Sequence, residues 1–89
     1  MNKILTSLNV IAATTAHMTL IMQNFHWHVT GPHFLELHEF FGEGYKHHAE
    51  ALDELAERIV ALGSNAPATL AEIGQHSLLK DPSYNLTAK

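Results

Sequence analysis

The sequence predicts an all-α fold, a long antiparallel helical hairpin followed by one short helix. Three observations carry that prediction. Two long stretches repeat apolar residues at alternating steps of four and three, a Gly31-Pro32 pair separates them, and Gly63-Ser64-Asn65 closes the second. Alternating steps of four and three mark a helix packed lengthwise on another.

Residues 3–30 read as the first helix. Ile4, Leu8, Ile11, Thr15, Met18, Met22, Phe25 and Val29 form its seam, and Leu5, Ala12, Ala13, Leu20 and Ile21 widen it. Gly suits the left-handed position after a helix and Pro cannot continue one, so Gly31-Pro32 ends it. The short loop folds the next helix back antiparallel. Residues 34–62 read as the second helix, on Phe34, His38, Phe41, Tyr45, His48, Leu52, Leu55, Ile59 and Leu62. Gly42 and Gly44 each cost roughly 1 kcal/mol relative to Ala. Either packing offsets that cost, or a close backbone approach requires them. Residues 67–75 are expected to form a short third helix anchored by Leu70 and Ile73, and 76–89 a loop with a turn at Asp81-Pro82-Ser83. Leu86-Thr87-Ala88-Lys89 resembles the opening of a further helix. The two long helices carry wider apolar faces than one mutual contact can bury, so the hairpin is expected to recruit partner helices.

Composition narrows the function classes. The chain of 89 residues has no Cys, which removes disulfides and thiolate metal sites and suits a reducing compartment, with the cytoplasm as default. Five Lys/Arg against nine Asp/Glu give a formal net charge of −4, with the cations scattered, so there is no electrostatic footprint for nucleic acid. No unbroken apolar run approaches the ~18 residues of a membrane span, so no membrane partner is expected. There is no nucleophile triad and no phosphate-binding glycine loop.

Chemistry concentrates in 24–62, which holds six of the eight histidines and the single Trp. Asp53 and Glu57 lie four apart, on one helix face and close enough to share a metal. His38 sits 15 residues before Asp53 on the same helix. At 1.5 Å per residue that is ~22 Å, whereas metal–ligand bonds are ~2 Å, so the two cannot share an ion within one chain. His26, near the end of the first helix, can meet His38 across the turn. The chain therefore offers an imidazole half-site and a carboxylate half-site at opposite ends of one helix. A two-fold pairing of antiparallel copies joins them twice over. His and carboxylate without sulfur suit Fe(II), Mn(II) or Zn(II). A solvated helix face remains the alternative for Asp53, Glu54, Glu57 and Arg58. His26 and His28 point ~200° apart and do not chelate together. His17, His33, His47, His48 and His76 read as surface or core histidines, and Trp27 as a packing anchor.

The run Phe25-His26-Trp27-His28-Val29-Thr30-Gly31-Pro32-His33-Phe34, with Leu37-His38-Glu39 and Leu52-Asp53-Glu54-Leu55-Ala56-Glu57-Arg58-Ile59, resembles the Dps family of mini-ferritins. The resemblance is close over about residues 20–63, and Thr69-Leu70-Ala71-Glu72-Ile73 resembles the short helix of that family's long crossover. It implies half of a ferritin-like four-helix bundle within a hollow dodecamer. It implies a ferroxidase that oxidises Fe(II) with peroxide or oxygen, stores ferric mineral and protects against oxidative damage. It places His26 and His38 of one subunit with Asp53 and Glu57 of its two-fold partner as both metal and catalytic residues, beside Trp27. Two departures stand out. Four residues after His38, where the family usually carries an Asp ligand, this chain has Gly42, so one iron position is expected to be weak. The chain also ends where the third long helix is expected to begin, which reads as a single truncated ferritin-like domain over 1–89. Two other function classes stay open: a non-catalytic His-rich module for Zn(II) or another divalent ion, and a purely structural helical oligomerisation module.

Overall fold

The computed structural model describes residues 2–82. Three helices follow one another: α1 over Asn2–His28, α2 over Phe34–Ala61 and α3 over Leu70–His76. α1 and α2 form the antiparallel hairpin, and α3 packs back on α1. The hairpin makes an elongated body of 49 × 21 × 17 Å. Ser83 of the expected turn, and the expected helix opening at Leu86–Lys89, lie outside the described residues.

Each boundary has a local cause. Gly31 has φ 107° and Gly63 has φ 89°, the left-handed region that only glycine enters without strain. α1 stops at His28, two residues before the expected end, and Gly31 then turns the chain. The third helix starts at Leu70, not 67, because Thr69 caps it. The Thr69 hydroxyl accepts from the Glu72 N–H at 3.2 Å, and the Glu72 carboxylate accepts from the Thr69 N–H at 3.3 Å. This reciprocal pair fixes the first turn one residue beyond Thr69. His76, expected in the loop, is the last residue of α3.

The hairpin closes on small residues. Ala12, Ala13 and Ile59 are fully buried and Val29 nearly so, whereas Ile4 and Ile11 of the expected seam are about half exposed. Small side chains let the two helix backbones approach, and the larger ones then fall to the flanks. Gly42 and Gly44 continue that close approach on α2, receiving His26 and Met22 from α1. The large apolar flank residues Ile4, Leu20, Leu35, Phe40 and Val60 are left exposed in the single chain, as the excess of apolar face requires.

Among the described residues one helix, Lys3–His28, is long and apolar enough to cross a membrane by length and composition. No unbroken apolar run marks it in the sequence, because Thr, Ser, Asn and His interrupt the run without lowering its average hydropathy much. In the hairpin the same helix faces α2 on one side and α3 on another.

Candidate metal centre

His26 and His38 meet where the hairpin turns. The reverse at Gly31 brings the last turn of α1 against the first turns of α2. The His26 Nδ1 donates to the His38 carbonyl at 2.6 Å, and the His38 Nδ1 donates to the His26 carbonyl at 2.7 Å. A carbonyl oxygen only accepts, so each Nδ1 carries the proton. In the neutral rings each Nε2 is then an unprotonated lone pair. This backbone tie is the arrangement that orients metal-binding imidazoles.

The rings lie face to face, with centroids 3.8 Å apart and planes at 17°. Phe34 stacks on the far side of His38 at 5.0 Å, and Tyr45 tilts against His26 at 5.5 Å. A lone pair lies in its ring plane, and these planes run nearly parallel. An ion bound to one Nε2 therefore lies well out of the plane of the other. The two imidazoles come together, as the sequence predicts, in nearly parallel planes tied to each other's backbone.

α2 is unbroken from Phe34 to Ala61, so at 1.5 Å per residue Asp53 lies ~22 Å from His38 along it. Among the described residues, no three His, Cys, Asp or Glu side chains gather closely enough to hold a metal. Asp53 and Glu57 sit together on the exposed face of α2 near its far end. The Glu57 carboxyl is raised above its ordinary range, chiefly by the Asp53 charge and then by a hydrogen bond with Asp53. Among the described residues, no Lys or Arg forms an ion pair with either carboxylate. A like-charged pair of this kind is relieved by a proton or by a cation. Glu57 also lines an open cleft with Ile4, Leu8 and Arg58, an apolar-rimmed surface at the opposite end of the molecule from the imidazoles.

The other histidines divide by what their nitrogens do. His28 turns away from His26 and donates from Nδ1 to the Asn24 side-chain oxygen at 2.7 Å. His48 donates from Nδ1 to the Gly44 carbonyl at 2.8 Å. His17 has both nitrogens occupied. Its Nε2 donates to the Asp81 carboxylate at 2.6 Å, and in the neutral ring its Nδ1 accepts from the Ser77 hydroxyl at 2.7 Å. The Leu78 N–H donates to Thr14 Oγ1 at 3.1 Å beside it. His17 thus clamps the segment after α3 onto α1, a role that no local sequence pattern signals, because its partners lie 60 and 64 residues away. Trp27 is 61 % exposed, so within this chain it is not the packing anchor the sequence suggests. It lines a cleft with Leu20, Asn24, His28, Asp81 and Pro82.

With this geometry in place, comparison with known proteins is direct. The family model for the ferritin-like domain matches residues 5–89. The chain belongs to the ferritin-like family. Within that family its relatives are of Dps type, and so is this chain. It is 40 % identical over 90 residues to DNA protection during starvation protein 2 of Bacillus anthracis, covering 100 % of this chain and 62 % of that protein. Among solved structures, Dps from Staphylococcus aureus superposes with a TM-score of 0.92 at 36 % identity, over 98 % of this chain and 58 % of that one. The Dps protein of Vibrio cholerae O1, described as a member of a broad superfamily of ferritin-like diiron-carboxylate proteins, gives a TM-score of 0.92 at 26 % identity, over 98 % and 55 % of the two chains. The ferritin-like chain thus spans roughly three fifths of the length of these relatives.

Proposed function

We propose that this Dps-type chain binds Fe(II) between two copies of itself and oxidises it, with peroxide or oxygen as electron acceptor, and so protects against oxidative stress. The single observation that carries the reading is the reciprocal tie of His26 and His38. It spends both Nδ1 protons on backbone and leaves two Nε2 lone pairs with which, among the described residues, no third His, Cys, Asp or Glu gathers. The complement is the Asp53–Glu57 pair, whose mutual repulsion favours a cation.

Fe(II) is the substrate. The imidazole nitrogens bind it and the partner's carboxylates compensate the added charge when Fe(III) forms, because hard anionic oxygen favours the higher oxidation state. Two Fe(II) ions each give one electron to hydrogen peroxide, its O–O bond breaks, and two protons are taken up to leave two waters. The near-parallel imidazole planes suit two adjacent ions better than one shared ion. Position 42 supplies no carboxylate to the second of them, which weakens it. With a formal charge of −4, protection proceeds by consuming the oxidant and not by coating DNA. The setting belongs to the proposal: a cytoplasmic homo-oligomer, a dodecamer where the whole family fold is present.

Crystals soaked with Fe(II) under exclusion of oxygen, or with Zn(II), test the reading by anomalous scattering. A peak at about 2.0–2.3 Å from the His26 or His38 Nε2 and from a second copy's Asp53 or Glu57 supports it. Peaks only at exposed single histidines contradict it. A protein that binds Zn(II) at this position yet does not accelerate peroxide-dependent Fe(II) oxidation is a binding module and not a ferroxidase.

A further inference from the structure

We propose that the oxidant is an alkyl hydroperoxide, seated in an alanine-lined cleft that includes Asp53. What the oxidant meets there rests on the metal-site reading above, whereas the cleft itself stands on the fold. It has a volume of about 340 Å³, at the small end of the ~300–1,000 Å³ usual for ligand clefts. Ala16 of α1, Ala49 and Ala56 of α2 and the crossover residues Ala66, Pro67 and Ala68 form most of its wall. Among the described residues, Asp53 is the single polar side chain that lines it.

Local chemistry fixes the crossover over the hairpin. Pro67 is buried and, having no N–H, turns no unpaired donor into the cleft. The Ala68 N–H donates to the Glu72 carboxylate at 3.4 Å, so the capped first turn of α3 holds the neighbouring wall in place. Two other clefts are of a different kind. The one beside Trp27 carries Asn24, His28 and Asp81, and the one beside Glu57 carries Glu54 and Arg58 as well.

A wall of methyl groups with one carboxylate selects by polarity. A hydrated Fe(II) ion loses solvation along it and reaches Asp53 and Glu57 from their exposed side instead. Hydrogen peroxide bonds to water at both ends and gains nothing from alanine methyls. An alkyl or aryl hydroperoxide buries its hydrocarbon there. Its one polar end is left for Asp53, the residue that the reading above gives to iron. The reaction balances: two Fe(II) each give one electron to R–O–O–H, and the O–O bond breaks. Two protons from solvent then leave R–OH and water, with two Fe(III).

The test is stopped-flow Fe(II) oxidation by the full chain, with hydrogen peroxide against cumene hydroperoxide. Each buried methylene is worth about a fourfold change. The apparent KM for cumene hydroperoxide is therefore expected about tenfold or more below that for hydrogen peroxide. Cumyl alcohol, which has the hydrocarbon but no O–O bond, competes with cumene hydroperoxide. Filling the cleft by Ala68→Phe from the crossover, or by Ala49→Leu from α2, shifts the ratio of the two KM values about tenfold towards hydrogen peroxide. Loss of the fold in a variant removes both rates together, and the parent's ratio then decides. Equal KM values in the parent, or a ratio that neither folded variant moves, overturns the proposal. If no peroxide supports Fe(II) oxidation by the parent, the ferroxidase reading fails and cumyl alcohol alone decides the cleft. Methyl NMR shifts at Ala49, Ala56 and Ala68 on its addition support the cleft, and their absence overturns it.

Discussion

His17 and the His26–His38 pair are built from the same side chain and serve opposite ends. His17 sits mid-helix with 11 % of its side chain exposed and gives one nitrogen to Asp81 and the other to Ser77. Nothing is left with which to bind a ligand, and the ring works as a clamp between α1 and the segment beyond α3. His26 and His38 each give one nitrogen to a backbone carbonyl. A carbonyl fixes the ring and its tautomer while leaving the other nitrogen free. The difference between these histidines lies in how many nitrogens the fold consumes.

That contrast can be broken by mutation. The largest expected effect is at the pair: His26→Ala with His38→Ala abolishes saturable Fe(II) oxidation, followed by stopped-flow absorbance, while His17→Ala leaves it within about twofold. Equal losses in both would erase the distinction between the two kinds of histidine. Next comes the carboxylate end. Asp53→Asn with Glu57→Gln removes saturable metal binding by calorimetry without destabilising the hairpin near neutral pH, because Glu57 is raised chiefly by repulsion from Asp53 and the substitution removes that repulsion. A marked drop in thermal midpoint would instead mark these carboxylates as structural.

His17→Ala has a smaller and local effect. Loss of its two side-chain hydrogen bonds costs about 1–2 kcal/mol, visible as faster amide exchange at Leu78 and Leu79, with α2 unchanged. Smallest is the α3 cap. Thr69→Ala lowers the local stability of α3 by about 1 kcal/mol. The Glu72 carboxyl is held below its ordinary range, first by the hydrogen bond to Thr69 and then by that to the Ala68 N–H. Its contribution is therefore fully present above the unperturbed value of about 4.3 and fades as pH falls through the lowered one. Exchange protection in α3 should decline in acid before that of α2, and Glu72→Gln should remove that difference.

How much of this was legible in the sequence depends on the distance over which each feature is encoded. The two long helices were readable because Gly31, Gly63 and the seam spacing are local. The Thr69–Glu72 cap was equally local and readable, but the third helix was placed at 67 on its apolar anchors alone. The meeting of His26 with His38 followed from the turn. Their stacking did not, since ring orientation depends on the reciprocal bonds to each other's carbonyls. The seam put Ile11 inward where Ala12 and Ala13 are buried, because periodicity alone does not say how closely two helices approach. The His17 clamp joins residues more than 60 positions apart, beyond any spacing rule.

The central claim is that the imidazoles of one copy work with the carboxylates of another. Subunit mixing tests it most directly. A His26→Ala/His38→Ala chain and an Asp53→Ala/Glu57→Ala chain, each inactive alone, are unfolded, mixed in equal amounts and refolded together. Random pairing across an isologous interface leaves one intact site in each mixed dimer, about a quarter of all sites, so Fe(II) oxidation should return to about that fraction of the parent rate. No recovery, in a sample whose native mass spectrum shows mixed dimers, would contradict the account.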